Sequence, residues 1–310
     1  MKTLHEHLEN YLKLRRRLGY KLVIAGILLR SFVRFAEQEG AKRINTQLAL
    51  RWATLPSKST QAQKANRLGM VRRFAEYVSA LEPQTEVPPQ KLIPYQFRRQ
   101  EPHHYTEENV VQLVEAAHQI DPANPIQGPT LGTLLGMLAV TGMRVGEALT
   151  LEREDVNLNQ RLLTLRRTKG NKTRLVPLHP STVQALQRYA GLRDEIYPQP
   201  TSPTFFVWNG GGRLFHCTLH RWFLLVACQI GLRRPGGRRG PRIHDLRHYF
   251  AIRTLLNWYQ SHVDVEVHLP ELATYLGHVH VRDRYWYLSA VPALLALATR
   301  RWEQAEKGAK

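Results

Sequence analysis

Apolar residues recur every three or four positions in three segments of the first 80 residues, which is the spacing of an amphipathic helix. The first segment contains Leu4 and Leu8, the second passes through Phe32 to a stop at Gly40, and the third covers residues 60–80. No alternation of apolar and polar residues interrupts them. We therefore expect an all-helical N-terminal domain.

The second part of the chain mixes two periodicities. Helical patterns cover 107–118, 129–141 and 144–150, and two short strand-like runs follow at 161–166 and 173–178. The residues between these runs, 169–172, are typical of a hairpin turn. A further short strand is predicted at 204–208, and the remaining residues are mostly helical. The fold class expected is mainly α with a small antiparallel β-sheet.

A proline-rich stretch separates the two parts. Prolines break helices and lack the amide donor that regular structure needs, so a high density of them indicates a linker. The domains expected are a helical domain at 1–82, a linker at 83–104 and a second domain at 105–310. The prolines of the stretch are Pro83, Pro88, Pro89, Pro94 and Pro102.

Composition then excludes several classes of protein. Of the 310 residues 43% are hydrophobic, which is enough for a packed core and excludes a disordered basic tail. The two cysteines, Cys217 and Cys228, form no CxxC motif, so neither a disulfide framework nor a cysteine zinc site is expected. The polar N-terminus lacks a signal-peptide layout, and the apolar run at 22–29 is too short to span a bilayer. We expect a soluble, cytoplasmic protein.

The charge is strongly positive and uneven. The net charge is +19, and residues 1–100 hold 19 Lys and Arg against 7 Asp and Glu, a net +12. Such an excess in a folded chain indicates a polyanionic partner, most often nucleic acid, although a basic surface that serves only solubility fits composition equally well. The third predicted helix carries four candidate DNA-binding residues: Lys64, Arg67, Arg72 and Arg73.

Candidate chemistry is scattered along the second part. His244 and Arg247 are three residues apart, so they share a helix face and could meet one anionic group. Arg144 follows a glycine at a predicted helix start, where anions are already favoured. Lys169 lies at the hairpin tip, and His278 in Leu-Gly-His precedes Tyr287 by nine residues. Each feature alone is more often structural than functional.

In this order, however, the residues resemble the tyrosine recombinase family, which includes phage integrases and Xer-like recombinases. The flanking text agrees, with Thr-Gly-Met-Arg before Glu147, His-Asp-Leu-Arg-His at 244–248 and Leu-Gly-His at 276–278. The resemblance covers about 105–300, and over 1–100 it rests on the basic helical layout alone. It implies a helical SAM-like core-binding domain and an α+β tyrosine recombinase catalytic domain.

The resemblance also implies a function and residue roles. The protein would be a site-specific DNA recombinase or integrase that works through a 3′-phosphotyrosyl intermediate, without metal or ATP. Tyr287 would be the nucleophile, and Lys169 would protonate the leaving 5′ oxygen. The family pattern gives the remaining positions as phosphate-binding Arg144, Arg247 and His278, acid/base His244 and supporting Glu147. The implied partner is double-stranded DNA, bound by a homo-tetramer on paired sites, with the protein associated with the bacterial nucleoid.

Two questions stay open at this point. Tyr285 competes with Tyr287 for the nucleophile role, and the nine-residue spacing after His278 favours Tyr287. The rival functions are a type IB topoisomerase, which relaxes DNA as a monomer, and a non-catalytic DNA-binding protein on the same fold. The Xer-like text around Arg144 and His244 opposes the first, and the complete set of polar residues opposes the second.

Overall fold

The computed structural model describes residues 3–95, 101–121, 123–166, 173–237, 240–261 and 263–277. The chain divides into two compact units, residues 1–100 and 101–310. Within the described ranges no helix is both long and apolar enough to cross a membrane. The predicted fold class, mainly α with a small antiparallel sheet, is confirmed.

The first unit is helical, as predicted. Its helices pack around one core in which Phe32, Trp52 and Phe74 are almost completely buried. Thr3 begins α1 by accepting a hydrogen bond from the Glu6 amide, so side-chain capping defines where this helix starts. Periodicity had not indicated the short third helix. The helices are α1 (Leu4–Arg17), α2 (Val23–Gln38), α3 (Thr46–Thr54) and α4 (Gln61–Ser79).

The proline-rich stretch packs onto the first unit as far as it is described there. Ile93 is 7% exposed and belongs to the first hydrophobic core. The Glu86 amide donates to the Ile44 carbonyl, and the Arg72 guanidinium donates to the carbonyl of Pro88. This part of the stretch is therefore held in place. The domain boundaries at 82/83 and 104/105 stay predictions.

The second unit surrounds a helix, α6, that is buried on almost every side. A helix that is apolar all round belongs in the middle of a core, and α5, α8 and α10 pack against it. The helices of this unit are α5 (Glu107–His118), α6 (Gln127–Thr141), α7 (Val145–Leu149), α8 (Pro180–Ile196), α9 (His216–Gln229), α10 (Asp245–Gln260) and α11 (Val265–Leu276).

A three-stranded antiparallel sheet lies at the side of this unit. Its order is β1 (Val156–Asn157), β2 (Leu162–Leu165) and β3 (Arg174–Pro177). In the β2–β3 pair Leu163 lies opposite Val176 and Leu165 lies opposite Arg174. The two strand-like runs are thus confirmed as an antiparallel pair, whereas residues 167–172, which include the predicted hairpin tip, lie outside the described residues.

The strand expected at 204–208 is not a regular strand. Thr204 and Val207 form only isolated bridges, to Glu152 and Arg213. The other hydrogen bonds of this segment go to scattered partners, since the Phe205 amide donates to the Leu151 carbonyl and the Val207 amide donates to the Tyr189 hydroxyl. Backbone groups satisfied in this way need no neighbouring strand.

Two glycines end the helices that lead to the predicted site residues. Gly142 terminates α6 with φ 59°, and Gly277 terminates α11 with φ 66°, both in the left-handed region that favours glycine. A Cβ on Gly142 would lie 2.4 Å from the Phe250 ring and 3.0 Å from Leu276. Gly142 therefore permits both the turn and the close approach of α10 and α11.

This close approach predicts a stability difference between two glycines. Gly142→Ala should lower the free energy of unfolding by about 2 kcal/mol or more, because it combines left-handed strain with overpacking. Gly146→Ala is the matched control, since that Cβ would meet no atom within 4 Å. Inside α7 the control should be neutral or stabilising by up to about 1 kcal/mol. Urea denaturation measures both, and equal effects would contradict the packing described.

Candidate active site

Arg144 lies at the start of α7, where its side chain joins two other segments. Its main-chain amide donates to Oε2 of Glu147 at 2.8 Å, and its guanidinium Nη1 donates to Oε1 at 2.9 Å. Its Nη2 donates to the carbonyl of Gly277 at 2.7 Å. The predicted supporting residue Glu147 thus does contact Arg144, and Arg144 in turn holds the end of α11.

Arg247 joins three helices. It lies in the first turn of α10 and is 3% exposed. Its Nη1 donates to the carbonyl of Gly142 at 2.8 Å, and its Nη2 donates to the carbonyl of Leu276. Both acceptors lie at helix C-termini, where carbonyls have no partner within the helix and carry the negative end of the helix dipole. A buried guanidinium is well matched to these carbonyls.

His244 is the residue immediately before α10, and its side chain is exposed to solvent on one side while protein surrounds it on the other. Desolvation by the surrounding protein, reinforced by the positive charge of Arg247, lowers the pKa of His244, and Arg144 acts in the same direction. The His248 ring contacts it edge to face at a centroid distance of 5.5 Å. His244 is therefore neutral at neutral pH and able to accept a proton.

The turn that presents His244 is held by a buried carboxylate that sequence reasoning did not identify. Asp245 is 0% exposed and accepts hydrogen bonds from the main-chain amide of Arg242 at 3.0 Å and from its guanidinium at 2.8 Å. These bonds close the residues before α10 into a fixed turn. Asp245 thereby sets the path of the backbone on both sides of His244.

A third arginine enters the site from the sheet. Arg174, on β3, donates through Nη1 and Nη2 to the two carboxylate oxygens of Glu147 at 2.9 and 2.7 Å. Burial alone would raise the pKa of Glu147, but hydrogen bonds from Arg174 and from the Arg144 amide outweigh it, so this pKa is lowered. Sequence reasoning missed Arg174, and the only available signal was an arginine at the start of a strand after the hairpin.

The structure therefore brings together Arg144, Glu147, Arg247 and His244 from the predicted set. Lys169, His278, Tyr285 and Tyr287 lie outside the described residues, and their roles stay predictions. Among the residues that are described, no three His, Cys, Asp or Glu side chains are grouped so as to hold a metal ion.

The four predicted DNA-binding residues lie on α4 but differ in their surroundings. Arg67 lies 3.8 Å above the Trp52 ring and donates to the Trp52 carbonyl, and its burial lowers its pKa. Arg72 pairs with Glu76, Lys64 is half-buried, and Arg73 is exposed. DNA binding by these side chains stays a prediction, and Arg73 is best placed for it.

Comparison with known proteins identifies the family. Residues 104–292 match the phage integrase family. The chain belongs to the phage integrase family. This match covers all four described site residues, and the predicted class, a tyrosine recombinase acting as a DNA strand transferase, is confirmed. The rival topoisomerase and non-catalytic functions are not favoured.

Relatives extend the likeness beyond the family region. The chain is 41% identical over 309 residues to y4rB of Sinorhizobium fredii, described as an integrase/recombinase, which covers 98% of each chain. It is 30% identical over 200 residues to the tyrosine recombinase XerD of Brucella abortus, covering 63% of each. The first of these matches includes the N-terminal unit, so the likeness is not confined to the catalytic motifs.

Solved structures share the fold. The XerH site-specific recombinase, in a post-cleavage complex with its difH substrate, has a TM-score of 0.61 at 22% identity, covering 96% of this chain and 84% of that one. The Tn1549 transposon integrase, in complex with transposon right-end DNA, has a TM-score of 0.65 at 13% identity, covering 98% and 99%. What this chain shares with these two DNA-bound proteins is the fold.

The environment of His244 predicts its titration in this integrase. In the DNA-free protein, His244 should titrate below the ordinary histidine value of about 6.5, because desolvation and two nearby arginines disfavour the imidazolium. Side-chain NMR across the pH range measures this, with His244→Gln to assign the resonance. A midpoint for His244 above 6.5 would contradict the electrostatics described.

Proposed function

We propose that this integrase cleaves and rejoins duplex DNA at specific sites through a 3′-phosphotyrosyl intermediate formed by Tyr287, without metal or ATP. One observation carries the proposal: Arg144 and Arg247 both donate to backbone carbonyls at residues 276–277, immediately before His278. Arg144 and Arg247 thus meet at one place in the fold, although they are far apart in the sequence, and this proximity supports a shared phosphate as their ligand.

The chemistry requires this kind of cluster. A phosphodiester is negatively charged and repels nucleophiles, and more charge builds up on its non-bridging oxygens in the transition state. Guanidiniums stay charged at every relevant pH and donate two directional hydrogen bonds, so they are suited to these oxygens. Donors fixed in advance by the fold commonly contribute the largest share of catalysis. Arg144 and Arg247 are fixed by carbonyl and carboxylate partners before DNA arrives.

The proposed cleavage step exchanges one phosphoester bond for another. The Tyr287 oxygen attacks phosphorus, a new P–O(Tyr) bond forms, and the P–O5′ bond breaks. The tyrosine proton passes to His244, which is neutral because its pKa is lowered. Lys169 gives a proton to the departing 5′ oxygen, and His278 donates to a non-bridging oxygen. Rejoining is the reverse reaction, so the covalent link conserves the bond energy and ATP is not needed.

We assign DNA binding chiefly to the positive charges that lie outside the cluster of Arg144 and Arg247. Residues 1–100 carry a net +12, and we assign them to the duplex backbone as a core-binding domain at 1–82, joined by the linker at 83–104 to the catalytic domain at 105–310. The assigned DNA contacts are Lys64, Arg67, Arg72 and Arg73.

We further propose that four copies act together on two paired sites, in the cytoplasm and in association with the nucleoid.

The nucleophile is tested by matched tyrosine variants. Tyr287→Phe should abolish the covalent protein–DNA adduct while DNA binding persists, because phenylalanine keeps the ring and lacks the attacking oxygen. Tyr285→Phe is the control and should still form the adduct. A nicked duplex library of randomised sequence traps the adduct, which a denaturing gel reveals and sequencing of the captured DNA identifies. An adduct that survives in Tyr287→Phe and disappears in Tyr285→Phe would contradict the assignment.

A further inference from the structure

Glu147 is shared between two arginines, and Arg174 supplies half of its hydrogen bonds. Four donors reach the carboxylate: two from Arg174, and the guanidinium and main-chain amide of Arg144. The side chains of Glu147 and Arg174 are 9% and 13% exposed, so water replaces these bonds poorly. The position of Glu147 therefore depends on Arg174 as much as on Arg144.

The bond pattern is also directional. Two parallel N–H···O bonds from one guanidinium fix the plane of the carboxylate, which a single point charge cannot do. The fixed Oε1 is the atom that receives Nη1 of Arg144 at 2.9 Å. A carboxylate free to rotate would leave the guanidinium of Arg144 free to move with it.

The two guanidiniums converge on the residue that precedes His278. A Cβ built on Gly277 would lie 3.4 Å from Nη1 of Arg144 and 3.4 Å from Nη1 of Arg174. Arg174 lies on β3, five residues after Lys169 in the sequence, whereas Arg144 begins α7. Arg174 thus stands where the strand leaving the hairpin meets α7 and the end of α11.

We propose that Arg174 is a positioning residue that acts through Glu147 to hold the guanidinium of Arg144 in place for phosphate binding. This inference rests on the proposed function. Arg174 also belongs to the strand that follows Lys169, so it could instead act by placing the hairpin and its proton donor. The two routes predict different results when the leaving group no longer needs a proton.

The first test compares single-turnover cleavage rates. Arg174→Ala should cleave about 100-fold more slowly, the loss typical of a misplaced catalytic group, with DNA binding close to wild type. Its melting temperature should fall, because the buried Glu147 carboxylate loses two donors, so all rates are compared well below the melting temperature of the variant. Arg174→Lys keeps the charge without the paired bonds, so it should recover part of the rate. Arg188→Ala removes one positive charge from an exposed position on α8 and should cleave normally. A normal rate in Arg174→Ala would overturn the inference.

The second test changes the substrate. Sulfur in place of the bridging 5′ oxygen departs as a thiolate without a proton, because thiols have a pKa of about 8.5. On this substrate Lys169→Ala should regain activity, whereas Arg174→Ala should keep its full defect. Restored cleavage in Arg174→Ala would show that it serves the proton donor and would overturn the proposal.

A double variant identifies the route through Glu147. Arg174→Ala combined with Glu147→Gln should cleave no more slowly than Glu147→Gln alone, because both changes break the same link. If the loss of rate in the double variant equals the product of the two single losses, the route through Glu147 is contradicted. In the DNA-free protein the Arg144 Nε–H resonance should shift in Arg174→Ala and stay in place in Arg188→Ala. An unchanged resonance overturns this inference independently of catalysis, whereas a wild-type protein that forms no adduct overturns the proposed function and this inference with it.

Discussion

The arginine–carbonyl contacts at residues 142, 276 and 277 determine how the site is built. Arg247 donates to the carbonyls of Gly142 and Leu276, and Arg144 donates to that of Gly277. These carbonyls end helices, so each lacks a partner of its own and each carries partial negative charge. The two arginines thereby tie α6, α7, α10 and α11 together next to His244.

The same contacts give the arginines two uses. A guanidinium has five N–H donors, so it can bind a carbonyl along one edge and still present donors to a phosphate along another. Lysine, with a flexible stem and a point charge, would lose the fixed geometry. Arg144 and Arg174 share the single carboxylate of Glu147, which leaves excess positive charge in the pair. A DNA phosphate would supply the missing negative charge.

Sequence reasoning predicted the helices well, because amphipathic periodicity reports directly which face is buried. It also singled out Arg144, Glu147, His244 and Arg247 as candidates, since ordered motif residues are visible without coordinates, and the structure brings these four together. Arg174 escaped because its role comes from a contact between residues 27 positions apart, which no local pattern encodes. The expected strand at 204–208 was wrong because its backbone groups bond to scattered partners, among them the Leu151 carbonyl and the Tyr189 hydroxyl, and not to one neighbouring strand.

Solvent exposure likewise could not be predicted from residue type. Arg67 is as basic as Arg73, yet one covers Trp52 and the other is exposed. A long side chain can pack along apolar surface as readily as it can meet a polyanion, and only the tertiary fold decides. The net +12 of the first 100 residues therefore overstates the charge free to contact DNA.

The central claim is that the arginines which hold the end of α11 also stabilise charge on the scissile phosphate. Cleavage of a methylphosphonate substrate tests it most directly, because a methyl group replaces one charged non-bridging oxygen. On the natural phosphate Arg144→Ala should cleave far more slowly than wild type. On the methylphosphonate the ratio of the wild-type rate to the variant rate should be smaller by about tenfold or more. An equal loss on both substrates would mean that Arg144 serves only the scaffold, and would contradict the account.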